Sequence, residues 1–167
     1  IDIEERCIQL LALQQPLARD LRLITSSIKI SNDLERVGDH AVNIAGCAQE
    51  LAKRPPVRPL PDLAQMTESA VAMLRDALDA FVRQDAEAAR LLCRRDDEVD
   101  ALKRRLFGEL LARMVAEPTE IEPSMTLVLV SRNLERIGDH ATNIAEEGVC
   151  IAEARVIKHH AEEIAAR

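Results

Sequence analysis

The hydrophobic residues of this chain recur every three or four positions over most of its length, which is the spacing of amphipathic helices. The pattern is clearest between residues 62 and 83, where the apolar positions share one helical face: Leu63, Met66, Ala70, Leu74, Ala77, Leu78 and Phe81. The same spacing predicts the end of one helix and three long helices elsewhere, over residues 1–13, 17–53, 86–116 and 123–152. With two phenylalanines, no tryptophan and no tyrosine, the core of these helices must be aliphatic. The pattern therefore predicts an all-α protein.

Prolines mark the ends of the predicted helices, because proline lacks a backbone donor and clashes with the preceding turn. Gln14-Gln15-Pro16 ends the first helix, and Glu117-Pro118 ends the fourth. Asp85 is predicted to cap the N-terminus of the fourth helix. Residues 55–61 contain four prolines, which predicts a stiff linker between the second and third helices.

A twelve-residue motif occurs twice, one hundred residues apart. Residues 34–45 read LERVGDHAVNIA and residues 134–145 read LERIGDHATNIA, so ten of the twelve positions are identical. Each copy carries a glycine inside a predicted helix, where glycine costs about 1 kcal/mol relative to alanine. A glycine at the same place in both copies indicates a packing or functional requirement.

The repeat divides the chain into two units. When the copies are aligned, Asp2 falls opposite Asp100, with a two-residue difference in the intervening loop. The second unit then has three predicted helices, whereas the first has only the end of its middle helix and all of its last. We therefore expect tandem three-helix bundles, the first incomplete at its N-terminus. The expected boundaries are 1–54 for the partial first bundle, 55–61 for the linker, 62–153 for the second bundle and 154–167 for a polar tail.

Each motif places two carboxylates one helical turn apart: Glu35 and Asp39 in the first copy, Glu135 and Asp139 in the second. The preceding helix of the second unit carries a further pair at the same spacing, Asp96 and Asp100, and the first unit keeps Asp2 at the matching position. If these helices are antiparallel neighbours, four carboxylates of the second unit would converge.

Carboxylates that lie so close repel one another unless a positive charge sits among them. A divalent or trivalent metal held by hard oxygen ligands would supply that charge. The alternative is a solvated charged face that is balanced by local ion pairs. Arg36 and Arg136 are expected to steady the carboxylates, and His40 and His140 to be hydrogen-bonded or partly exposed rather than metal ligands.

Composition restricts the class of partner. The formal net charge is −7 and the sequence has no basic stripe, which argues against nucleic acid. No apolar run approaches the roughly 20 residues of a membrane span, and no signal peptide is visible. The four cysteines (Cys7, Cys47, Cys93 and Cys150) are scattered, which favours buried reduced thiols in a cytosolic protein over a zinc or redox motif.

Three features together resemble the PhoU family of phosphate-transport-system regulators over residues 1–153: the doubled motif, the segment PLARDLR at 16–22, and the acidic segment 96–100. Members of that family consist of two three-helix bundles. The resemblance places the family's paired metal motif, E or D-x-x-x-D, on Glu35/Asp39, Asp96/Asp100 and Glu135/Asp139. Some members bind multinuclear iron or zinc clusters there, so the resemblance favours iron and leaves zinc, manganese and magnesium open.

The resemblance also implies a function that is not enzymatic. It implies a cytoplasmic negative regulator of the phosphate-starvation response, which connects the ATPase subunit of the phosphate ABC transporter to a membrane sensor histidine kinase. The membrane would then be reached only through these partners. The apolar face of the 1–54 hairpin would be exposed, and such a patch favours association, so we expect a homodimer.

Two other functions stay open from the sequence. One is a carboxylate-bridged metal-storage protein or metalloenzyme of the helical-bundle type. Ferritin-like sites use Glu-x-x-His on facing helices, whereas Gly38 and Gly138 stand three residues after the motif glutamates here, which counts against that function. The other is a purely structural helical scaffold.

Overall fold

The computed structural model describes residues 2–153, and every regular element in that range is helical. The elements are α1 (Asp2–Gln14), α2 (Ala18–Leu51), α3 (Pro61–Arg83), α4 (Ala86–Cys93), α5 (Asp96–Ala116), a short 3₁₀ helix (Pro118–Glu120) and α6 (Ile121–Glu153). The predicted all-α class is confirmed. The predicted polar tail at 154–167 lies outside the described residues.

The ends of the helices follow local chemistry. The side chain of Asp85 accepts hydrogen bonds from the backbone N–H groups of Glu87 and Ala88 at 3.1 and 3.0 Å, which confirms the predicted N-cap of α4. Pro61 occupies the first turn of α3, where its missing N–H costs nothing. The second helix stops at Leu51, just before the proline-rich stretch.

The predicted single helix over 86–116 is wrong, because a turn at Arg94 and Arg95 divides it into α4 and α5. The N–H of Arg95 donates to the carbonyl of Leu92 at 2.9 Å, which is a tighter bond than an α-helix makes. The charges on the two sides suit such a break. Two arginines lie at the carboxyl end of α4, and the acidic run 96–98 opens α5, so both helix dipoles are compensated.

The core of the protein is organised around α6, which packs against α2, α3, α4 and α5. Its buried side chains meet Met66 and Met73 of α3, Leu92 of α4 and Val99 of α5 in one aliphatic cluster. Ile30 of α2 joins this cluster, and its half-buried neighbours on α2 include Leu34, Val37 and Ile44. The prediction that Val37 and Ile44 face the core is therefore confirmed.

A smaller cluster fixes the proline-rich segment to the end of α5 and α6. Leu60 is buried against Leu106, Leu110 and Leu127. The guanidinium of Arg113 donates to the two backbone carbonyls of residues 58 and 59, each at 3.4 Å. The segment is thus packed on the second unit.

The hairpin of α1 and α2 leaves aliphatic side chains in solvent, as predicted for the 1–54 region. The exposed set comprises Ile3, Ile8, Leu10, Leu13, Leu17, Leu21 and Leu23. Within residues 2–153, no helix combines the length and the apolar character that crossing a membrane requires.

Candidate functional site

The two motif copies meet where α2 packs against α6. The helices are antiparallel, because contacts move toward the start of α6 as they move toward the end of α2. Ser26 near the start of α2 donates to Glu147 at 2.6 Å, whereas His40 lies against Asn133. The motifs therefore face each other about an internal pseudo-two-fold axis.

Each motif histidine is hydrogen-bonded to the opposite helix. His40 Nδ1 lies 2.9 Å from Asn133 Oδ1, and His140 Nδ1 lies 2.8 Å from Asp33 Oδ1. Positions 33 and 133 are equivalent in the repeat, so the two contacts are reciprocal. The rings themselves approach with centroids 5.6 Å apart and planes tilted by 32°. The histidines are hydrogen-bonded and partly buried, as predicted.

The acceptors of these two contacts were not predicted from the sequence. Asp33 and Asn133 lie immediately before the motif and differ between the copies, so the repeat alone did not draw attention to them. Aligning the units with the offset of one hundred residues pairs them, and that alignment is the signal that could have found them. The motif amides Asn43 and Asn143 add donations to the same acceptors at 3.4 and 3.3 Å.

The carboxylates of the second copy lie against α5 and are partly buried. Glu135 Oε1 accepts a hydrogen bond from Lys103 Nζ at 2.5 Å, and Asp139 Oδ2 accepts from Arg136 Nη1 at 3.0 Å. Gly138 faces Asp96, since a Cβ at position 138 would lie 3.5 Å from Asp96 Oδ1. These contacts place α5 and α6 as antiparallel neighbours, as the carboxylate hypothesis requires.

The carboxylates of the first copy are open to solvent. Glu35 and Asp39 are exposed, and Asp39 pairs loosely with Arg36 at 3.7 Å. Asp2 pairs with Arg6 of its own helix at 3.1 Å. Arg36 and Arg136 thus lie beside the aspartate of their own motif, as predicted.

Metal binding by these carboxylates stays a prediction. The donors are hard oxygen atoms of the kind that iron, manganese and magnesium bind, and Gly138 leaves space beside Asp96. Across residues 2–153, however, no three His, Cys, Asp or Glu side chains are grouped as a metal site would group them. Lys103 and Arg136 occupy oxygens of Glu135 and Asp139, so a metal ion would have to displace these cations.

A cavity of about 480 Å³ opens between α5 and α6 beside the second motif. Its acidic lining residues are Asp100 and Glu135, two of the predicted metal ligands. Its other lining residues are Lys103, Arg104, Phe107, Val128, Ser131, Arg132 and Arg136. Sequence reasoning missed these basic residues because none belongs to a recognisable motif.

Two pKa shifts mark the packing around α6. The hydrogen bond to Glu147, at 2.7 Å, raises the pKa of Lys29 above its ordinary value. Burial raises the pKa of the Cys93 thiol to about 11, so this thiol is protonated at neutral pH. All four cysteines are free, in agreement with the predicted reduced thiols.

Comparison with known proteins extends the resemblance seen in the motifs. The sequence profile described as the PhoU domain matches residues 1–48 and 63–148. A protein of Aquifex aeolicus called "Phosphate-specific transport system accessory protein PhoU homolog" is 42% identical over 159 residues, which is 95% of this chain and 72% of that protein. A protein of the same description from Clostridium acetobutylicum is 39% identical and is covered over 68% of its length, with 89% of this chain aligned.

Solved structures agree with these sequence relationships. The crystal structure of PhoU from Pseudomonas aeruginosa superposes with a TM-score of 0.88 at 37% identity, over 92% of this chain and 74% of that one. The phosphate transport system regulatory protein PhoU from Streptococcus pneumoniae superposes with a TM-score of 0.85 at 30% identity, over 93% of this chain and 72% of that one. Profile, sequence and structure agree on one assignment: the chain belongs to the PhoU family.

Proposed function

We propose that this protein regulates phosphate uptake and phosphate-starvation signalling as a non-enzymatic adaptor. The observation that carries the proposal is the 42% identity, over 95% of this chain, to a protein described as an accessory protein of the phosphate-specific transport system. A transport accessory protein acts on the transporter or on its control, which is the role that we assign here.

The finer form of the proposal names the partners. The protein connects the ATPase subunit of the phosphate ABC transporter to a phosphate-responsive sensor histidine kinase in the cytoplasm, and it represses the starvation response when phosphate is plentiful. It reaches the membrane only through these partners. The exposed aliphatic side chains of α1 and early α2 support self-association as a homodimer.

A metal ion is part of the proposal as a stabiliser of the helical scaffold. Asp96, Asp100, Glu135 and Asp139 of the second unit would hold it, and Asp2, Glu35 and Asp39 are the corresponding residues of the first unit. A bound iron, zinc, manganese or magnesium ion would offset the repulsion between carboxylates on α5 and α6. Iron is the metal that we favour.

A reporter assay tests the regulatory role. In the native host, deletion of the gene should leave a phosphate-repressed reporter switched on in phosphate-rich medium, and the wild-type gene should restore repression. Reporter activity that stays repressed without the gene would contradict the proposal. Capture of the purified ATPase subunit and of the kinase by the wild-type protein would test the adaptor role separately.

A pair of matched variants tests the metal. Glu135→Gln with Asp139→Asn removes two carboxylates beside Asp96, whereas Glu35→Gln with Asp39→Asn makes the same charge change on an exposed face. We expect the first variant to lose bound metal, measured by elemental analysis, and the second to lose less. Equal metal content in both variants and in the wild type would remove metal from the proposal.

A further inference from the structure

Exposed hydrophobic side chains form a row along each of two neighbouring helices, α5 and α6. Phe107, Leu111 and Val115 are spaced four residues apart on α5, and Ile121 and Met125 have the same spacing on α6. The exposed fractions of these five side chains lie between 45% at Ile121 and 79% at Val115. Because α5 and α6 are antiparallel neighbours, the two rows border a shallow groove, which we call the α5–α6 groove.

One end of the α5–α6 groove is basic. It opens there into the cavity of about 480 Å³, which four basic and two acidic residues line. Lys103 is neutralised by Glu135, and Arg136 is paired with Asp139. Arg104 and Arg132 are exposed and form no ion pair with another described residue. A local excess of positive charge is unexpected in a chain whose net charge is −7.

The composition of the groove is that of a protein-binding surface. Phe107 is one of two aromatic residues in the chain, and it stands half-exposed within one helical turn of Arg104. Phenylalanine and arginine are enriched in the centres of protein interfaces and often dominate their binding energy. Asp100 lies one turn before Arg104 and offsets part of the positive charge, so the remaining charge is carried mainly by the two unpaired guanidinium groups.

The length of the groove matches a short helix. From Arg104 to Val115 the stripe covers eleven residue steps of about 1.5 Å, or roughly 16 Å, which is three helical turns. A helix that lies in such a groove presents apolar residues at positions i, i+3 or i+4, and i+7. The opposite side of the α5–α6 pair already accepts a helix in this way, since α3 packs against both.

We propose that the α5–α6 groove is the docking surface for an amphipathic helix of the signalling partner, with Asp or Glu residues at the end that meets Arg104 and Arg132. The partner's apolar side chains contact Phe107, Leu111 and Met125, and its carboxylates pair with the two arginines. The inference rests on the adaptor role proposed above and assigns a surface to it.

Binding measurements with purified components test the inference. The probes are the host's phosphate-transporter ATPase subunit and the cytoplasmic part of its phosphate-responsive kinase, each titrated against the full chain by calorimetry. The groove variants are Arg104→Glu with Arg132→Glu, and separately Phe107→Ala. The matched controls are Arg75→Glu with Arg94→Glu, which change the same charge at exposed residues elsewhere, and Val82→Ala, which truncates an exposed side chain on α3.

We expect each groove variant to weaken binding of at least one partner by about tenfold or more, because interface arginine and aromatic residues carry such effects. The controls should stay within about twofold of the wild type. Added salt should weaken wild-type binding and should have less effect on the double-arginine variant. Circular dichroism of each variant establishes that its helices are intact.

Two outcomes would overturn the inference, and they are distinguishable. If the wild type binds a partner and the groove variants bind it equally well, the docking surface is elsewhere while the adaptor role stands. The same holds if the groove variants change only the self-association of the chain. If the wild type binds neither purified partner, both the inference and the adaptor role are overturned.

Discussion

The two copies of the motif share ten of twelve residues and occupy opposite environments. In the first copy, Gly38, Ala41 and Ala45 are exposed, whereas the equivalent residues of the second copy, Gly138, Ala141 and Ala145, are buried. The difference comes from the surrounding helices, since α3, α4 and α5 pack on α6 while α1 and α6 pack on α2. Small residues therefore permit close helix packing at this motif, but they do not bring a helix to it.

What the copies have in common is their contact with each other. The reciprocal hydrogen bonds of His40 and His140 are nearly equal in length, although one acceptor is an amide and the other a carboxylate. The motif thus has one side that works in both copies and a second side that is covered only in α6. Each prediction below changes the same position in both copies.

The largest difference is expected at the motif isoleucine. Ile144 is fully buried, and its truncation to alanine should cost about 2–5 kcal/mol in free energy of unfolding because it leaves a cavity. Ile44 is half-buried, so Ile44→Ala should cost clearly less. Chemical denaturation of both variants measures the difference. An equal or larger loss at Ile44 would mean that the first copy is as well packed as the second.

Enlarging the second alanine of the motif should give the next largest difference. Ala145 has no exposed surface, so Ala145→Leu should destabilise the protein by about 1–3 kcal/mol through overpacking. Ala45 is exposed, and Ala45→Leu should change stability by about 0.5 kcal/mol or less. The two melting temperatures give the comparison, and similar values would show that the second copy is not enclosed.

The two hydrogen-bond acceptors should differ by a smaller amount. Removing the carboxylate in Asp33→Ala should cost about 1.5–3 kcal/mol, because a hydrogen bond to a charged group is stronger than one between neutral groups. Asn133→Ala should cost about 0.5–1.5 kcal/mol for the neutral bond that it removes. Double-mutant cycles with His140→Ala and His40→Ala isolate each pair. A coupling energy near zero in both cycles would contradict the reciprocal contact.

The smallest effects are expected at the motif glycines. A Cβ at Gly38 would meet nothing within 4 Å, so Gly38→Ala should stabilise the protein by up to about 1 kcal/mol. A Cβ at Gly138 would contact Asp96 Oδ1 at 3.5 Å and Val99 at 3.8 Å, so Gly138→Ala should gain less. Thermal unfolding measures both gains. A greater gain at Gly138 than at Gly38 would reverse the comparison.

The fold could be predicted from the sequence because its determinants are local. Hydrophobic spacing indicated the helices, proline indicated their ends, and Asp85 indicated a cap that the structure contains. The break at Arg94 and Arg95 was missed because the apolar stripe of α4 continues into α5 without interruption. The change from basic to acidic residues at that point is the local signal that hydrophobic spacing does not register.

The candidate site could be predicted only in part, because it depends on contacts between helices. The repeat indicated the carboxylate pairs and the histidines. It could not indicate that Lys103 reaches Glu135 or that His140 reaches Asp33, since these partners are distant in sequence and carry no motif. The basic end of the α5–α6 groove also assembles from two helices, and it is visible only once they are packed.

The unequal environment of the two motif copies is most directly tested by native-state hydrogen exchange, read by mass spectrometry in peptides covering 38–45 and 138–145. Amides of the second copy should exchange only with global unfolding, because their helix is packed on several sides. Amides of the first copy should exchange faster, through local opening of the α1–α2 hairpin. Equal protection of the two segments, or greater protection of 38–45, would contradict the account.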